Sequence, residues 1–159
     1  MRTLLLGLGN ELYGDDAVGI HVVRKIKEES QNQPTGAFPQ DDISMEECAL
    51  SGLALLDLII GYDRIVLVDT IKRESPCPGR IHLLEEGDIR AVPGPSPHYV
   101  SIPQMVEIGR RLGLHMPSRI QVVAIEAKNI YHLGEGLSAE MREKLPAIIR
   151  EVKLLLARD

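Results

Sequence analysis

Aromatic residues are scarce in this 159-residue chain, which has four tyrosines, one phenylalanine and no tryptophan. A surface that stacks nucleic-acid bases needs aromatic side chains, and one that binds phosphate backbones needs a basic excess. The chain carries 18 Lys and Arg against 23 Asp and Glu, a net charge of −5. It also lacks any run of 18 or more apolar residues, which a membrane-spanning helix requires. These shortages argue against nucleic-acid binding and membrane insertion.

Cysteine is also scarce, with only Cys48 and Cys77 in the chain. Two cysteines without a CxxC pair give neither a disulfide framework nor a structural zinc site. The first apolar run meets Gly7 too early to form the core of a secretory signal. We therefore expect a cytoplasmic protein that folds as one domain over residues 1–159, a length that supports a core of its own. The charge balance leaves the oligomeric state open.

Short apolar runs alternate along the chain with apolar residues at helical spacing. Strand patterns lie at residues 3–8, 43–49, 64–68, 80–84 and 119–125. Helical patterns lie at 16–29, 52–60, 102–112 and 138–157, with Ser51, Ser101 and Ser138 as candidate N-caps and Pro146 as a candidate kink or break. This order predicts a three-layer α/β domain with a mostly parallel sheet. The fourth strand follows the third without a helix between them, so we expect it to run antiparallel.

Acidic residues follow two of the predicted strands, at the sheet edge where open α/β folds bind ligands. The first strand leads through residues 7–10 to Asp15 and Asp16 at a helix start, and the third strand enters Asp69. Leu12 stands where a dinucleotide fingerprint requires its third glycine, and paired carboxylates would repel phosphate, so nucleotide binding is disfavoured. Each aspartate also has a purely structural explanation, as a helix N-terminal residue or a turn residue.

A histidine follows the proline-rich segment 91–97, which is too rich in proline to be a helix or a central strand. Such a stiff segment would fix the side chain of His98, although an ordinary loop histidine is the simpler interpretation. Two aspartates and this histidine would give a mixed carboxylate–imidazole set, which suits zinc, nickel and similar divalent ions. Three protein ligands leave one position open for water or substrate. His132, after the fifth strand, is a more distant candidate.

Nucleophilic catalysis has weaker support. The sequence has no G-x-S-x-G motif. Cys48 follows the second strand near the same edge, where it would be accessible to the site, but a small buried apolar role is the simpler interpretation. Cys77 lies between two prolines and has no evident base.

Several short motifs match a known family. Two of them are specific, Leu5-Leu6-Gly7-Leu8-Gly9-Asn10 followed by Gly14-Asp15-Asp16-Ala17-Val18-Gly19, and Ser96-Pro97-His98. Others are common in α/β proteins: Gly52-Leu53, Leu55-Leu56-Asp57, Val66-Leu67-Val68-Asp69, Pro78-Gly79 and Gly136-Leu137-Ser138. Through these motifs nearly the whole chain resembles the hydrogenase maturation endopeptidases. The resemblance implies a five-stranded twisted sheet with one antiparallel strand and helices on both faces.

Members of that family remove the C-terminal extension of the large subunit of nickel–iron hydrogenases after nickel insertion. The resemblance implies that Asp16, Asp69 and His98 bind the metal and form the catalytic set. It implies a divalent metal, nickel presented by the precursor subunit, for which zinc or cadmium can substitute, and no organic cofactor. It also implies a set of substrate-binding residues: Gly9, Asn10, Asp15, Glu47 and Cys48.

One segment differs from the family pattern. Many members have Asp-Gly-Gly-Thr or Asp-Cys-Gly-Thr after the second strand, where this chain has Glu47-Cys48-Ala49-Leu50. The mechanistic hypothesis is that the docked metal, or a carboxylate beside it, activates water or polarises the scissile carbonyl. Asp15 and Glu11 are candidate helpers in that step. Two alternatives stay open: a nickel-dependent recognition module that does not cleave, and a metallohydrolase that carries its own zinc and acts on a small molecule.

Overall fold

Five strands form one sheet in the computed structural model, which describes residues 1–32, 42–89, 102–128, 130–134 and 136–158. The strands are β1 (Thr3–Leu8), β2 (Ile43–Cys48), β3 (Arg64–Ile71), β4 (Ile81–Glu85) and β5 (Arg119–Glu126), in the spatial order β2-β1-β3-β5-β4. β1 pairs in parallel with β2 and β3, and β3 with β5, whereas β4 is antiparallel to β5. This confirms the mostly parallel sheet and the reversed fourth strand.

Helices cover both faces of the sheet, which confirms the three-layer architecture. They are α1 (Val18–Asn32), α2 (Leu56–Ile59), α3 (Glu86–Ile89), α4 (Ile102–Arg111) and α5 (Ala139–Leu156). α1 and α5 pack on one face, against side chains such as Leu5 and Val66. α2 and α4 pack on the other face, against Leu4 and Ile65. Because successive strand residues point to opposite faces, continuous apolar strands such as β1 and β3 supply both cores.

Some predicted boundaries were wrong. The third strand was expected to end at residue 68, but β3 continues to Ile71, because Asp69 and Thr70 still pair with β5. Pro146 was expected to kink or split the last helix, and it does not split it, because α5 is one helix from Ala139 to Leu156. Buried residues before and after the proline, such as Met141 and Ile148, anchor both halves of α5 in the same core.

The helix starts also differ from the prediction. A 3-10 turn over Gly14–Ala17 precedes α1, and another over Gly52–Leu55 precedes the short α2. Ser51 lies at the N-cap position of the second turn but makes no side-chain cap hydrogen bond, whereas the hydroxyl of Ser138 accepts from the backbone N–H of Met141 at 3.2 Å and caps α5. Ser101 lies outside the described residues. α3 was not predicted, because four residues are too few to show a helical period.

Glycines bring the start of α1 against the carboxyl ends of β1 and β3. A β-carbon on Gly19 would lie 2.1 Å from the carbonyl oxygen of Val68 and 2.6 Å from that of Leu8. Only a glycine permits so close an approach of helix and strand backbones. This packing holds the preceding 3-10 turn, which carries Asp15 and Asp16, at the edge of the sheet. In the part of the chain that the structure describes, no helix is long and apolar enough to cross a membrane.

Candidate metal centre

Asp16 lies in the 3-10 turn between β1 and α1, with 7% of its surface exposed. The backbone N–H of Asn10 donates to its Oδ2 at 2.9 Å, and the hydroxyl of Thr70 donates to its Oδ1 at 3.1 Å. The turn that aims the Asn10 amide at this carboxylate begins at Gly9, whose φ of +151° suits glycine. The carboxylate is therefore held by the loop after β1 and by the end of β3.

Asp69 and Thr70 lie side by side in β3, and both are fully buried. The Thr70 backbone N–H donates to Oδ1 of Asp69 at 2.7 Å, while the Thr70 hydroxyl donates to Asp16. One threonine thus contacts both carboxylates. Asp69 lies near the end of β3, and Asp16 lies in the turn that follows β1, the strand paired with β3, so both are on the same side of the sheet edge. Thr70 was not singled out from the sequence, although it directly follows Asp69.

The third predicted ligand, His98, lies outside the described residues. Within the described ranges, no group of three His, Cys, Asp or Glu side chains is close enough to hold a metal. His132 is exposed and lines a separate cavity of about 270 Å³ beside Gly14 and Asp15. The described part of the site therefore consists of two carboxylates, which supply the oxygen ligands of the predicted set.

The carboxylate of Asp15 contacts a different element from the one that the Asp16 carboxylate contacts. It is 3% exposed, and its carboxylate accepts two hydrogen bonds of 2.7 Å each, from the backbone N–H and the hydroxyl of Ser138. Because Ser138 is the N-cap of α5, Asp15 places negative charge at the positive end of that helix. Asp15 thus joins the 3-10 turn to α5, whereas Asp16 joins it to β3.

The segment after β2 meets the loop after β1. Cys48, the last residue of β2, is buried; its carbonyl oxygen accepts from the Gly9 N–H at 3.3 Å and its sulfur from the Leu50 N–H at 3.3 Å. Arg24 of α1 joins the same two segments, because its guanidinium contacts Glu47 at 2.6 Å and Glu11 at 2.9 Å. The predicted substrate-binding positions Gly9, Asn10, Glu47 and Cys48 therefore belong to one connected rim.

Charge on this rim is balanced by the guanidinium. The hydrogen bond from Arg24 holds the pKa of Glu11 below its ordinary value. The hydrogen bonds to Glu47 and then to Glu11 raise the pKa of Arg24. Both glutamates are therefore ion-paired with the same guanidinium, and the lowered pKa of Glu11 disfavours a role for it as a general base near neutral pH.

A further buried carboxylate was missed from the sequence. Glu126 ends β5 and is 3% exposed; its Oε2 lies 2.8 Å from Nε2 of His82 and 3.7 Å from Nε of Arg80. Its Oε1 accepts from the Cys77 N–H at 3.3 Å. Burial acts to raise the pKa of Glu126, but the His82 and Cys77 hydrogen bonds and the charge of Arg80 lower it overall. The sequence did contain an indication of this site, because Glu126 follows the apolar run of the fifth strand as Asp69 follows that of the third.

Comparison with solved structures identifies the fold first. The fold is that of the hydrogenase maturating endopeptidase HybD from Escherichia coli, with a TM-score of 0.76, 22% identity, and 98% of this chain and 92% of that chain covered. The maturation protease HybD from Thermococcus kodakarensis has a TM-score of 0.70 at 23% identity and covers 98% and 99% of the two chains. At these identities the structural similarity establishes the fold.

Sequence comparison then assigns the family. The family model described as HycI, hydrogenase maturation protease, matches residues 20–154. The chain therefore belongs to the hydrogenase maturation protease family, and it is an enzyme that hydrolyses peptide bonds. The Hydrogenase 2 maturation protease of Escherichia coli (strain K12) is 23% identical over 159 residues, covering 95% of this chain and 92% of that protein. The hydrogenase expression/formation protein HupD of Rhizobium leguminosarum bv. viciae is 23% identical over 151 residues, covering 93% and 70%. The region matched by the family model, residues 20–154, includes Asp69 and His98 and begins after Asp16.

Proposed function

We propose that this protein removes the C-terminal extension from the precursor of a nickel–iron hydrogenase large subunit after nickel has been inserted. The observation that supports this reaction is the pair of buried carboxylates, Asp16 and Asp69, held on Thr70 at the ligand-binding edge of the sheet. Family membership supplies the class of reaction, peptide hydrolysis. The relatives named as hydrogenase maturation proteases supply the kind of substrate.

The chemistry of the two carboxylates fits a divalent cation. Charged carboxylates are costly to bury, and a divalent ion offsets that cost while it uses them as oxygen ligands. In the proposed reaction nickel arrives bound to the precursor, as part of the substrate. Asp16 and Asp69 bind it from the sheet edge, and His98 completes the set from the segment of residues 90–101. A precursor without nickel would lack this attachment point and would not be positioned for cleavage.

Hydrolysis then needs one water molecule beside the scissile carbonyl. The water oxygen bonds to the carbonyl carbon, the carbon–nitrogen bond breaks, and the nitrogen of the departing extension takes up a proton. The ligand residues hold the precursor so that this carbonyl lies beside the metal, and the charge of the metal stabilises the developing negative oxygen. The rim built by Gly9, Asn10, Glu47 and Cys48 contacts the precursor, and Asp15 fixes the turn that carries Asp16.

A mass measurement tests this proposal. The purified protein is mixed with its precursor subunit, nickel-loaded or nickel-free, and the mass of the subunit is followed with time. We expect loss of the extension only from the nickel-loaded precursor, and no loss with Asp69→Asn or His98→Ala. Lys25→Ala, which removes only an exposed contact with Glu28 on α1, is the control and should cleave normally.

Each other outcome counts against a particular part of the proposal. Binding of the cognate precursor without a change in its mass would indicate a recognition module instead. Cleavage of the nickel-free precursor at the same rate would refute the role of nickel. Normal cleavage by His98→Ala, with the fold checked by thermal unfolding, would refute the three-residue ligand set.

A further inference from the structure

A second site lies along the same edge of the sheet, beyond the aspartate pair. A cleft of about 850 Å³ opens where β3 and β5 end and β4 begins. Lys72 and Arg73, which directly follow β3, form one side of the cleft, and Arg80 and His82 form the other, with Glu126 also in its lining. The cleft is separate from Asp16, yet β3 leads directly from Asp69 to Lys72.

Glu126 gives the cleft a charged but neutralised interior. Its two carboxylate oxygens are occupied by His82 at 2.8 Å and by the Cys77 N–H at 3.3 Å, with Arg80 at 3.7 Å. The side chain of Arg80 is nevertheless 62% exposed, so the guanidinium can contact a further anion while it stays near Glu126. Glu126 therefore positions two residues that line the cleft, Arg80 just before β4 and His82 within β4.

Two further cations, Lys72 and Arg73, line the cleft. In the described part of the chain, neither Lys72 nor Arg73 forms an ion pair, and Lys72 lies over the ring of Tyr131, 4.9 Å from its centroid. Glu74, an exposed residue, also lines the cleft. Because Glu126 is already hydrogen-bonded, the exposed charges are chiefly positive, in a chain whose net charge is −5.

We propose that this cleft binds a carboxylate of the polypeptide being processed, either an Asp or Glu side chain or the free C-terminus. The proposal rests on the proposed function, because the ligand is then the extension that is removed. Guanidinium groups bind carboxylates through paired, charge-assisted hydrogen bonds, and lysine adds a point charge. Lys72 follows Asp69 by three positions, which is about 10 Å at strand spacing. The bound carboxylate should therefore lie roughly three residues from the scissile bond.

Peptide titration tests the cleft without any cleavage. Three hexapeptides of alanine and serine are used: one with two glutamates and capped ends, one neutral with a free C-terminus, and one neutral with capped ends. Amide chemical shifts of the ¹⁵N-labelled protein report binding. We expect at least one carboxylate peptide to shift residues 72–82 and the capped neutral peptide to shift none, and which of the two binds identifies the source of the carboxylate. Shifts caused equally by the capped neutral peptide, or by none of the three, would overturn the proposal.

A charge-matched pair of variants isolates the cations of the cleft. Lys72→Ala/Arg73→Ala should weaken carboxylate binding about fivefold, and raising NaCl from about 50 mM to about 500 mM should weaken wild-type binding similarly. Lys25→Ala/Arg111→Ala removes the same charge from two exposed helix positions and should bind as the wild type does. Equal binding by both double variants would overturn the proposal, provided thermal unfolding shows that each is folded.

Cleavage kinetics keep this proposal separate from the proposed function. With nickel-loaded precursor, the Lys72→Ala/Arg73→Ala variant should have a KM about fivefold higher and an unchanged kcat, because these residues bind substrate but do not touch the reacting atoms. Asp69→Asn should bind the peptides normally and cleave nothing. Peptide binding without cleavage by the wild type would refute only the protease proposal. Normal KM in the cleft variant would refute only the role of the cleft.

Discussion

The contact between α1 and the sheet can be tested by adding one methyl group. In Gly19→Ala, the new β-carbon would lie 2.1 Å from the carbonyl oxygen of Val68 and 2.6 Å from that of Leu8, whereas ordinary contact begins near 3.4 Å. Both neighbours are backbone atoms of buried strands, so neither can rotate away. The helix start must move by about 1 Å, and overpacking of this kind costs roughly 3 kcal/mol. For a domain of this size we expect the melting temperature to fall by roughly 6–12 °C.

Urea unfolding of the wild type and two glycine variants measures this effect. Gly87→Ala is the matched control, because Gly87 lies in α3 and a β-carbon there would have no atom within 4 Å. The control should be as stable as the wild type or more stable by up to about 1 kcal/mol. Gly19→Ala should also cleave precursor more slowly, because the displaced turn carries Asp16. If Gly19→Ala unfolded within about 0.5 kcal/mol of the wild type, the close packing of α1 on β1 and β3 would be refuted.

Two further predictions concern buried polar groups. Thr70→Val keeps the shape of the side chain but removes its hydrogen bond to Asp16. It should lower the free energy of unfolding by about 1.5–3 kcal/mol and kcat/KM on the order of tenfold, and Thr70→Ser should restore both. A fully active valine variant would show that Thr70 does not position Asp16. The pKa of Glu126 is lowered in the folded protein, because the His82 and Cys77 contacts outweigh the opposing effect of burial. The contribution of Glu126 to the free energy of unfolding is therefore present above its ordinary pKa of 4.5 and is lost as the pH falls below that value. Urea midpoints of the wild type and Glu126→Gln should therefore converge as the pH falls below that value, and a difference that did not change with pH would contradict this assignment.

The strands that form the centre of the sheet were predictable because their signal is local. A strand buried on both faces reads as a nearly continuous apolar run, and the segments 3–8, 64–68 and 119–125 are apolar except at Thr3, Arg64, Arg119 and Gln121. The sheet edge that carries the site follows from the same runs, since carboxyl ends of parallel strands meet at one edge. Asp16 and Asp69 could therefore be expected at the same edge of the sheet. Boundaries were less certain where polar residues such as Thr70 continue a ladder.

The particular partner of each polar side chain could not be predicted, because it depends on residues far away in the chain. Asp15 and Asp16 are adjacent, yet one binds Ser138 and the other Thr70. His82 lies in β4, and only the antiparallel pairing of β4 with β5 brings it to Glu126.

Arg64 shows the same limit at the opposite end of the sheet. At the start of a strand it would be expected to reach solvent, but it is 1% exposed and donates to the carbonyl oxygens of Leu155 and Arg158 at the end of α5. The sequence by itself determined which segments are strands and helices and which edge of the sheet carries acidic groups, because periodicity and turn chemistry act over a few residues. The tertiary structure decided which carboxylates share a hydrogen-bond donor, which cap helices and which line the basic cleft. Those pairings require strand order and helix placement, which no local pattern contains.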